Sequence, residues 1–241
     1  MDNVLLVGFP GVGKTAVVEA NYGSAMVKLL VSSCVEEDIA GLPYREGTRE
    51  RRTKPKFLED LDQVAAEHPQ VCLFLDELDK ARQEVADTLL TLVWSRRIGD
   101  WALPTNCRII AAANPVEFGG GNGISEPMRS RFIIHDFIPD KDKWADWCEV
   151  AYPQMPHIAQ AVRTGELPMY YEHGEGYDKR TASPRTYQMA MEAKDCFLMT
   201  RAEKIAGLIP AEQRMFFLAD PEDFAQILSR KVTYRAIRAM A

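Results

Sequence analysis

Residues 4–15 of this 241-residue chain read VLLVGFPGVGKT, and this stretch carries the strongest signal for the class of fold. Val4–Val7 is a short apolar run that predicts a β-strand, and residues 8–15 fit the pattern G-x-x-x-x-G-K-[ST] completely. The glycines allow successive backbone N–H groups to turn inward around phosphate oxygens, and the helix predicted next directs its positive N-terminal end at the same charge. The stretch therefore predicts a phosphate-binding loop, although a glycine turn followed by a chance Lys-Thr pair is the alternative.

The residues of this loop have distinct expected roles. We expect Lys14 to reach the β- and γ-phosphates of a nucleotide and Thr15 Oγ1 to bind Mg²⁺. The residues expected to bind the nucleotide are Gly8, Pro10, Gly11, Val12, Gly13, Lys14, Thr15 and Ala16.

Two carboxylates follow another apolar run, Val71–Leu75. At the carboxyl end of a buried parallel strand, such groups point into the crevice where ligands bind. We expect Asp76 to hold Mg²⁺ through water, and Glu77 to orient the attacking water or to accept its proton. The alternative is an acidic helix cap, with Asp79 as a further capping residue.

A third polar residue, Asn114, ends the apolar run Ile109–Ala113. An amide beside the carboxylate strand can form a hydrogen bond to the attacking water or to the γ-phosphate, so Asn114 is a candidate site residue. An ordinary Asn-Pro turn is the alternative interpretation.

Apolar runs and helical patterns alternate up to about residue 138, and helical patterns dominate afterwards. This alternation predicts the α/β class, with a parallel sheet flanked by helices and a small C-terminal helical lid domain. The predicted domains are residues 1–138 and 139–241. The predicted strands are 4–7, 26–31, 71–75, 109–113 and 132–137. The predicted helices are 57–67, 83–95, 141–152, 184–204 and 211–230, with a loop at 168–184.

The composition narrows the class of protein. Net charge is −6 and 46% of residues are hydrophobic, which disfavours a surface that binds nucleic acid throughout. No apolar run approaches the roughly 20 residues that span a bilayer, so we expect no membrane insertion, no signal peptide and a cytoplasmic location. The cysteines and histidines are scattered without zinc spacing, which favours buried, reduced thiols. The cysteines are Cys34, Cys72, Cys107, Cys148 and Cys196.

Taken in order, these motifs resemble those of the AAA+ ATPases, and more narrowly the MoxR-like branch. The resemblance covers nearly the whole chain and implies ATP and Mg²⁺ as cofactors and Mg-dependent ATP hydrolysis as the activity. The matching elements are residues 8–15, residues 72–77, Asn114, residues 128–132 (MRSRF) and residues 183–186 (SPRT). Asp79 departs from the pattern, because Asn is common there. The first strand begins near residue 3, so the segment that walls the adenine in this family is in question.

The resemblance also implies roles for three arginines. Arg131 matches an arginine finger that acts on the ATP of a neighbouring subunit, and Arg129 is a second candidate for that role. Arg185 matches a residue called sensor 2, and Ser183 is a good cap for the helix predicted around it. Surface ion pairs are the alternative for all three arginines.

Two further segments resemble family elements. Residues 96–104 predict a hairpin in which Trp101 faces either a partner or its own domain. Residues 35–44 match a segment that the family places near a central pore. Residues 45–56, with six basic and two acidic side chains, predict a loop that either contacts a polypeptide or nucleic acid, or is simply solvated.

Three functions are consistent with these motifs. We expect a homo-oligomer, by resemblance a hexameric ring, that remodels a separate protein substrate or adaptor. A nucleic-acid motor or loader is the first alternative. The second is a nucleotide-dependent assembly scaffold with little turnover.

Overall fold

Two units share the chain. Residues 1–10 and 14–137 form the first unit, and residues 11–13 and 138–241 form the second. The computed structural model describes residues 3–119, 123–173, 180–193, 201–210, 213, 216 and 217.

Strands and helices alternate in the first unit. In chain order its elements are β1 (Val4–Val7), α1 (Lys14–Tyr22), β2 (Met26–Leu30), α2 (Glu36–Ala40), β3 (Pro43–Glu46), β4 (Arg49–Arg52), α3 (Lys56–Glu67), β5 (Val71–Asp76), α4 (Gln83–Ser95), β6 (Arg97–Ile98), β7 (Trp101–Ala102), β8 (Cys107–Ala113), α5 (Val116–Gly119), α6 (Glu126–Arg129) and β9 (Ile133–Asp136).

One parallel sheet contains five of these strands, in the order β2-β5-β8-β1-β9. Leu73 and Leu75 pack on one face with residues of α3 and α4, whereas Phe74 packs on the other face with Val18 of α1. Strand β5 is apolar and buried from Val71 to Leu75, as expected for a strand covered on both faces. The predicted α/β class, with a parallel sheet flanked by helices, is confirmed.

The sheet order brings polar strand ends together. Strand β8 lies between β5 and β1, so the loop after β1, the carboxylates after β5 and Asn114 after β8 leave the same edge of the sheet. Helix α4 packs in the core on one face of the sheet, where Leu89 and Leu92 are fully buried together with Leu73 and Leu75. Each such leucine contributes roughly 1.5–3 kcal/mol through burial.

Two short hairpins project from the first unit. Strands β3 and β4 pair antiparallel, with Arg45 opposite Glu50. The prediction of a loop over residues 45–56 is therefore wrong for residues 45–46 and 49–52, which lie in these strands. Every residue of this hairpin is exposed, and an all-polar segment lacks the alternation that indicates a strand. Strands β6 and β7 form the hairpin predicted over residues 96–104. The Trp101 ring lies 5.5 Å from Lys54 Nζ, so Trp101 contacts its own unit.

The second unit is mainly helical. Its described elements are α7 (Lys141–Ala151), α8 (Pro156–Thr164), β10 (Tyr171–His173), β11 (Arg180–Ala182), α9 (Pro184–Met191) and α10 (Arg201–Leu208). Tyr187 is fully buried at its centre, stacks on Phe217 with ring centroids 5.6 Å apart, and donates a hydrogen bond to Pro168 O at 2.6 Å.

Three predictions for the second unit need correction or fall outside the described residues. The predicted loop at 168–184 contains an antiparallel pair, β10 and β11. The helix predicted over 184–204 ends at Met191, and α10 is a separate helix. The helix predicted over 211–230 lies largely outside the described residues, as does Cys196. Helix α8 was not predicted, although Pro156 at its start and Gly165 after its end are typical helix boundaries.

None of the helices in the described part of the chain has the length and apolarity needed to cross a membrane.

Candidate active site

The loop between β1 and α1 requires glycine at specific positions. A methyl group at Gly8 would lie 2.6 Å from the carbonyl oxygen of Phe137, a distance that no carbon–oxygen contact tolerates. Gly13 has φ +100°, which is strained for residues with a side chain. Val12 is buried, whereas Ala16 is exposed on the first turn of α1.

Lys14 joins the loop to the end of β8. Its Nζ donates to Gly8 O at 2.5 Å, to Phe9 O at 2.9 Å and to Asn114 Oδ1 at 2.9 Å. Two of the predicted site residues, 100 positions apart in the chain, are therefore in direct contact. The three oxygen acceptors belong to two backbone carbonyls and one side-chain amide.

Thr15 and Asp76 form the second contact between predicted site residues. Thr15 Oγ1 donates to Asp76 Oδ2 at 3.0 Å, while Asp76 Oδ1 accepts from the backbone N–H of Glu77 at 3.1 Å. A hydroxyl and a carboxylate in contact are hard oxygen ligands of the kind that Mg²⁺ prefers. The residues present therefore fit the predicted metal.

Lys28 is a residue of this site that the sequence analysis missed. Its Nζ lies 3.2 Å from Asp76 Oδ2, and its side chain is 34% exposed. The available signal was that Lys28 is a polar residue in the apolar run of β2. Its contact with Asp76 follows from the pairing of β2 with β5, which places Leu30 opposite Asp76.

Glu77 occupies an unusual backbone conformation. Its φ and ψ are 57° and 42°, in the left-handed region, which costs a residue with a side chain about 1–2 kcal/mol. Such strain persists where the surrounding structure imposes it, and it is frequent at active sites. Glu77 Oε1 is paired with Lys80 Nζ at 2.9 Å, and Lys80 is a second residue that the sequence analysis missed.

Asp79 forms a hydrogen bond with the backbone of Asn114. It is 2% exposed, and its Oδ1 accepts the backbone N–H of Asn114 at 3.2 Å. Its Oδ2 is buried and has no hydrogen-bond partner among the described residues. The alternative role of Asp79 as a helix cap is therefore replaced by a contact with the neighbouring strand end.

The loop and the helix that follows it suit an anionic ligand. Lys14 is the first residue of α1, so its ammonium group, the loop amides and the N-terminus of the helix belong to one segment. Together these groups fit a polyphosphate.

The three arginines have different positions. Arg131 follows α6 and contacts the Trp94 ring, Pro127 and Ser130. Arg129 is exposed at the last position of α6. Arg185 lies in the second unit, in the first turn of α9, where the Ser183 hydroxyl accepts the N–H of Thr186 as the cap.

The fold and the phosphate-binding loop define a P-loop protein of the AAA+ class. The family model for the AAA domain (dynein-related subfamily) matches residues 3–132, and the chain belongs to this family. Membership makes it a nucleotide-binding ATPase in general, with ATP as the nucleotide.

Comparison with individual proteins is less specific. No curated protein matches the chain. Among solved structures, NtrX from Brucella abortus has a TM-score of 0.43 at 17% identity over 68% of this chain. The closed state of Hsp104 with ATPγS and FITC casein has a TM-score of 0.46 at 16% identity over 64% of this chain. This chain spans 38% and 32% of the lengths of those two proteins, respectively.

Proposed function

We propose that this chain hydrolyses ATP with Mg²⁺ at the site formed by Lys14, Thr15, Asp76, Glu77 and Asn114. The observation that carries the proposal is the pair of contacts across three strand ends: Lys14 Nζ to Asn114 Oδ1 at 2.9 Å, and Thr15 Oγ1 to Asp76 Oδ2 at 3.0 Å. Binding, metal and water-orienting groups thereby converge at one edge of the sheet.

Each residue has a chemical task in this proposal. Lys14 exchanges the neutral carbonyls of Gly8 and Phe9 for anionic phosphate oxygens, so that both partners of each hydrogen bond become charged. Glu77 orients the attacking water or accepts its proton. The Asn114 amide, released from Lys14, donates to that water or to the γ-phosphate. Mg²⁺ held by Thr15 and Asp76 would neutralise charge on the β- and γ-phosphates.

The finer assignment follows from the MoxR-like resemblance. Residues 139–241 would act as a lid that carries Arg185 as sensor 2, and Arg131, with Arg129 as a second candidate, would serve the ATP of a neighbouring subunit. Such a site is complete only in an oligomer, for which we propose a hexameric ring. Hydrolysis would move the lid and remodel a separate partner protein.

The hydrolysis itself is tested by comparing wild type with Glu77→Gln in the presence of Mg²⁺ and of EDTA. Removing a positioned acid–base group costs about 10²–10⁴-fold in rate, so we expect a loss of this size in kcat with ATP binding retained. Glu67→Gln, an exposed change at the end of α3, is the matched control. If Glu77→Gln hydrolyses ATP as fast as Glu67→Gln, Glu77 has no catalytic role. If wild type binds ATP but does not turn it over, the scaffold alternative is favoured.

The role of Arg131 in a neighbouring site is tested by mixing two inactive variants. Arg131→Ala subunits keep an intact nucleotide site but lack the finger, whereas Glu77→Gln subunits keep the finger but lack the catalytic carboxylate. We expect each to be inactive alone and the mixture to recover activity at concentrations that form rings. Full activity of Arg131→Ala alone at such concentrations would refute the proposed role.

A nucleic-acid motor is the second candidate, and the exposed β3–β4 hairpin favours it. Strand β4 carries three arginines, Arg49, Arg51 and Arg52, all exposed. Arg51 and Arg52 are paired with Glu46 and Glu36, which lowers the net charge of this surface. Stimulation of ATP hydrolysis by DNA, with steep salt dependence, would support this candidate. Absence of stimulation at low salt would exclude it.

A further inference from the structure

Trp94 is an exposed aromatic residue whose ring faces a proposed functional group. It lies one position before the end of α4 and is 72% exposed. The Arg131 guanidinium carbon lies 4.9 Å from the centroid of the Trp94 ring. This distance is within the range of a cation–π interaction, so the Trp94 ring is a platform for Arg131.

The backbone on both sides of this stack is fixed by Asn3. Its Nδ2 group donates to Val93 O at 3.3 Å and to Arg131 O at 3.1 Å. One side chain thereby joins the residue before Trp94 to Arg131 itself. The backbone positions from which the Trp94 and Arg131 side chains project are therefore held relative to each other within the first unit.

The guanidinium keeps one group for another ligand. Arg131 Nη1 donates to Pro127 O at 2.6 Å and to Ser130 Oγ at 2.9 Å, and Nε is buried and therefore does not face a ligand outside the unit. Arg131 Nη2 donates to none of the described residues. Stacking restrains the plane of a guanidinium, whereas its N–H groups lie within that plane and point away from the ring. A stacked arginine can thus be held in place without using the donors that recognise phosphate.

We propose that Trp94 is the positioning residue for Arg131 when Arg131 completes the ATP site of a neighbouring subunit. The inference rests on the role proposed above for Arg131. Without the platform, and among the described residues, only the two hydrogen bonds of Nη1 restrain the Arg131 guanidinium. The side chain then samples more rotamers, and fixing it at the moment of reaction costs conformational entropy. Trp94 acts on the ring's hydrolysis rate through Arg131 and touches no reacting atom itself.

The test places the same substitution in either partner of the mixed ring. Finger-donating subunits carry Glu77→Gln, and hydrolysing subunits carry Arg131→Ala. Trp94→Leu is then added to the donor only or to the hydrolysing subunit only. We expect a fall in kcat of about two- to five-fold when the donor carries it, with KM for ATP unchanged, and no fall when the hydrolysing subunit carries it.

Conservative replacement separates positioning from a structural role. Trp94→Phe in the donor keeps an aromatic face and should recover most of the kcat lost with Trp94→Leu. Equal losses from the two placements, or no loss from either, would overturn the inference while leaving the role of Arg131 intact. Failure of the Glu77→Gln and Arg131→Ala mixture to recover any activity would overturn that role and this inference together. Because Trp94 is exposed, we expect all of these variants to fold, and thermal unfolding verifies this.

Discussion

Substitutions at Asp79 test whether a hydrogen bond positions Asn114, because only one of the two carboxylate oxygens of Asp79 has a hydrogen-bond partner among the described residues. Oδ1 accepts the Asn114 N–H at 3.2 Å, whereas the buried Oδ2 has no hydrogen-bond partner in the described part of the chain. Asp79→Asn keeps the accepting oxygen and removes a buried charge, whereas Asp79→Ala removes both. The two variants therefore separate the hydrogen bond from the charge.

The magnitudes follow from these contacts. A hydrogen bond to a charged group contributes about 1.5–3 kcal/mol, and its loss also leaves the Asn114 N–H unpaired. For a chain of this size, about 1 kcal/mol corresponds to roughly 2–4 °C in Tm, so Asp79→Ala should lower Tm by about 3–12 °C. Asp79→Asn keeps the acceptor for the Asn114 N–H but puts an unpaired NH2 group at the buried Oδ2 position. Asp79→Asn should therefore lower Tm by less than Asp79→Ala, which loses the hydrogen bond and leaves a cavity.

The same pair should separate in activity. Movement of the Asn114 backbone displaces the amide that contacts Lys14, so Asp79→Ala should lower kcat for ATP hydrolysis at least tenfold, whereas Asp79→Asn should stay within about threefold of wild type. Scanning calorimetry and steady-state ATPase assays measure both effects. Equal behaviour of the two variants, in either direction, would refute the role assigned to the hydrogen bond from Asn114 to Asp79.

Three further experiments probe the phosphate-binding loop, the surroundings of the proposed metal ligand Asp76, and the buried thiol of Cys72. Gly8→Ala would place a methyl group 2.6 Å from Phe137 O, so it should cost about 1–3 kcal/mol of stability by denaturant titration; Gly207→Ala, where an added Cβ meets nothing within 4 Å, should not. Lys28→Met removes the cation 3.2 Å from Asp76 and should tighten Mg²⁺ binding about two- to five-fold in a fluorescence titration with mant-ATP; weaker binding would contradict this. Burial, with Cys107 nearby, raises the pKa of Cys72 to about 12, so Cys72 should resist iodoacetamide at pH 8. Because the unfolded thiol ionises from about pH 9 while the folded thiol stays protonated, this group should lower the unfolding free energy between about pH 9 and 12, and rising stability there would contradict the assignment.

The sheet and the loop were predictable because their signals are local. A strand, a glycine-rich loop and a helix adjoin within residues 4–22, and the apolar runs before Asp76 and Asn114 reveal two buried strands without any knowledge of their neighbours. The α/β class followed from this alternation. Whether these site residues contact each other depends on the order of the strands in the sheet. The local sequence does not show that order, and only the family resemblance implied it.

Several of the missed features depend on contacts between residues far apart in the chain, although Lys80 lies only three positions from Glu77. Nothing local to Lys28 or Trp94 indicates its neighbour, because the relevant contacts are with Asp76 and Arg131. The β3–β4 hairpin is exposed on both faces, so its residues carry no hydrophobic period. The contact of Asp79 with Asn114 spans 35 positions in the chain, so the local sequence offers Asp79 only the alternative role of a helix cap.

Titration calorimetry of ATP with Mg²⁺ against wild type and Lys14→Ala measures whether the loop that contains Lys14 binds ATP. If Lys14 leaves the loop carbonyls for the phosphates, wild type should bind one ATP per chain, and Lys14→Ala should bind about 10- to 100-fold more weakly, since charge-assisted hydrogen bonds are lost. Heat that saturates identically for the two folded proteins, or no heat of binding for either, would contradict the assignment of this loop as the ATP site.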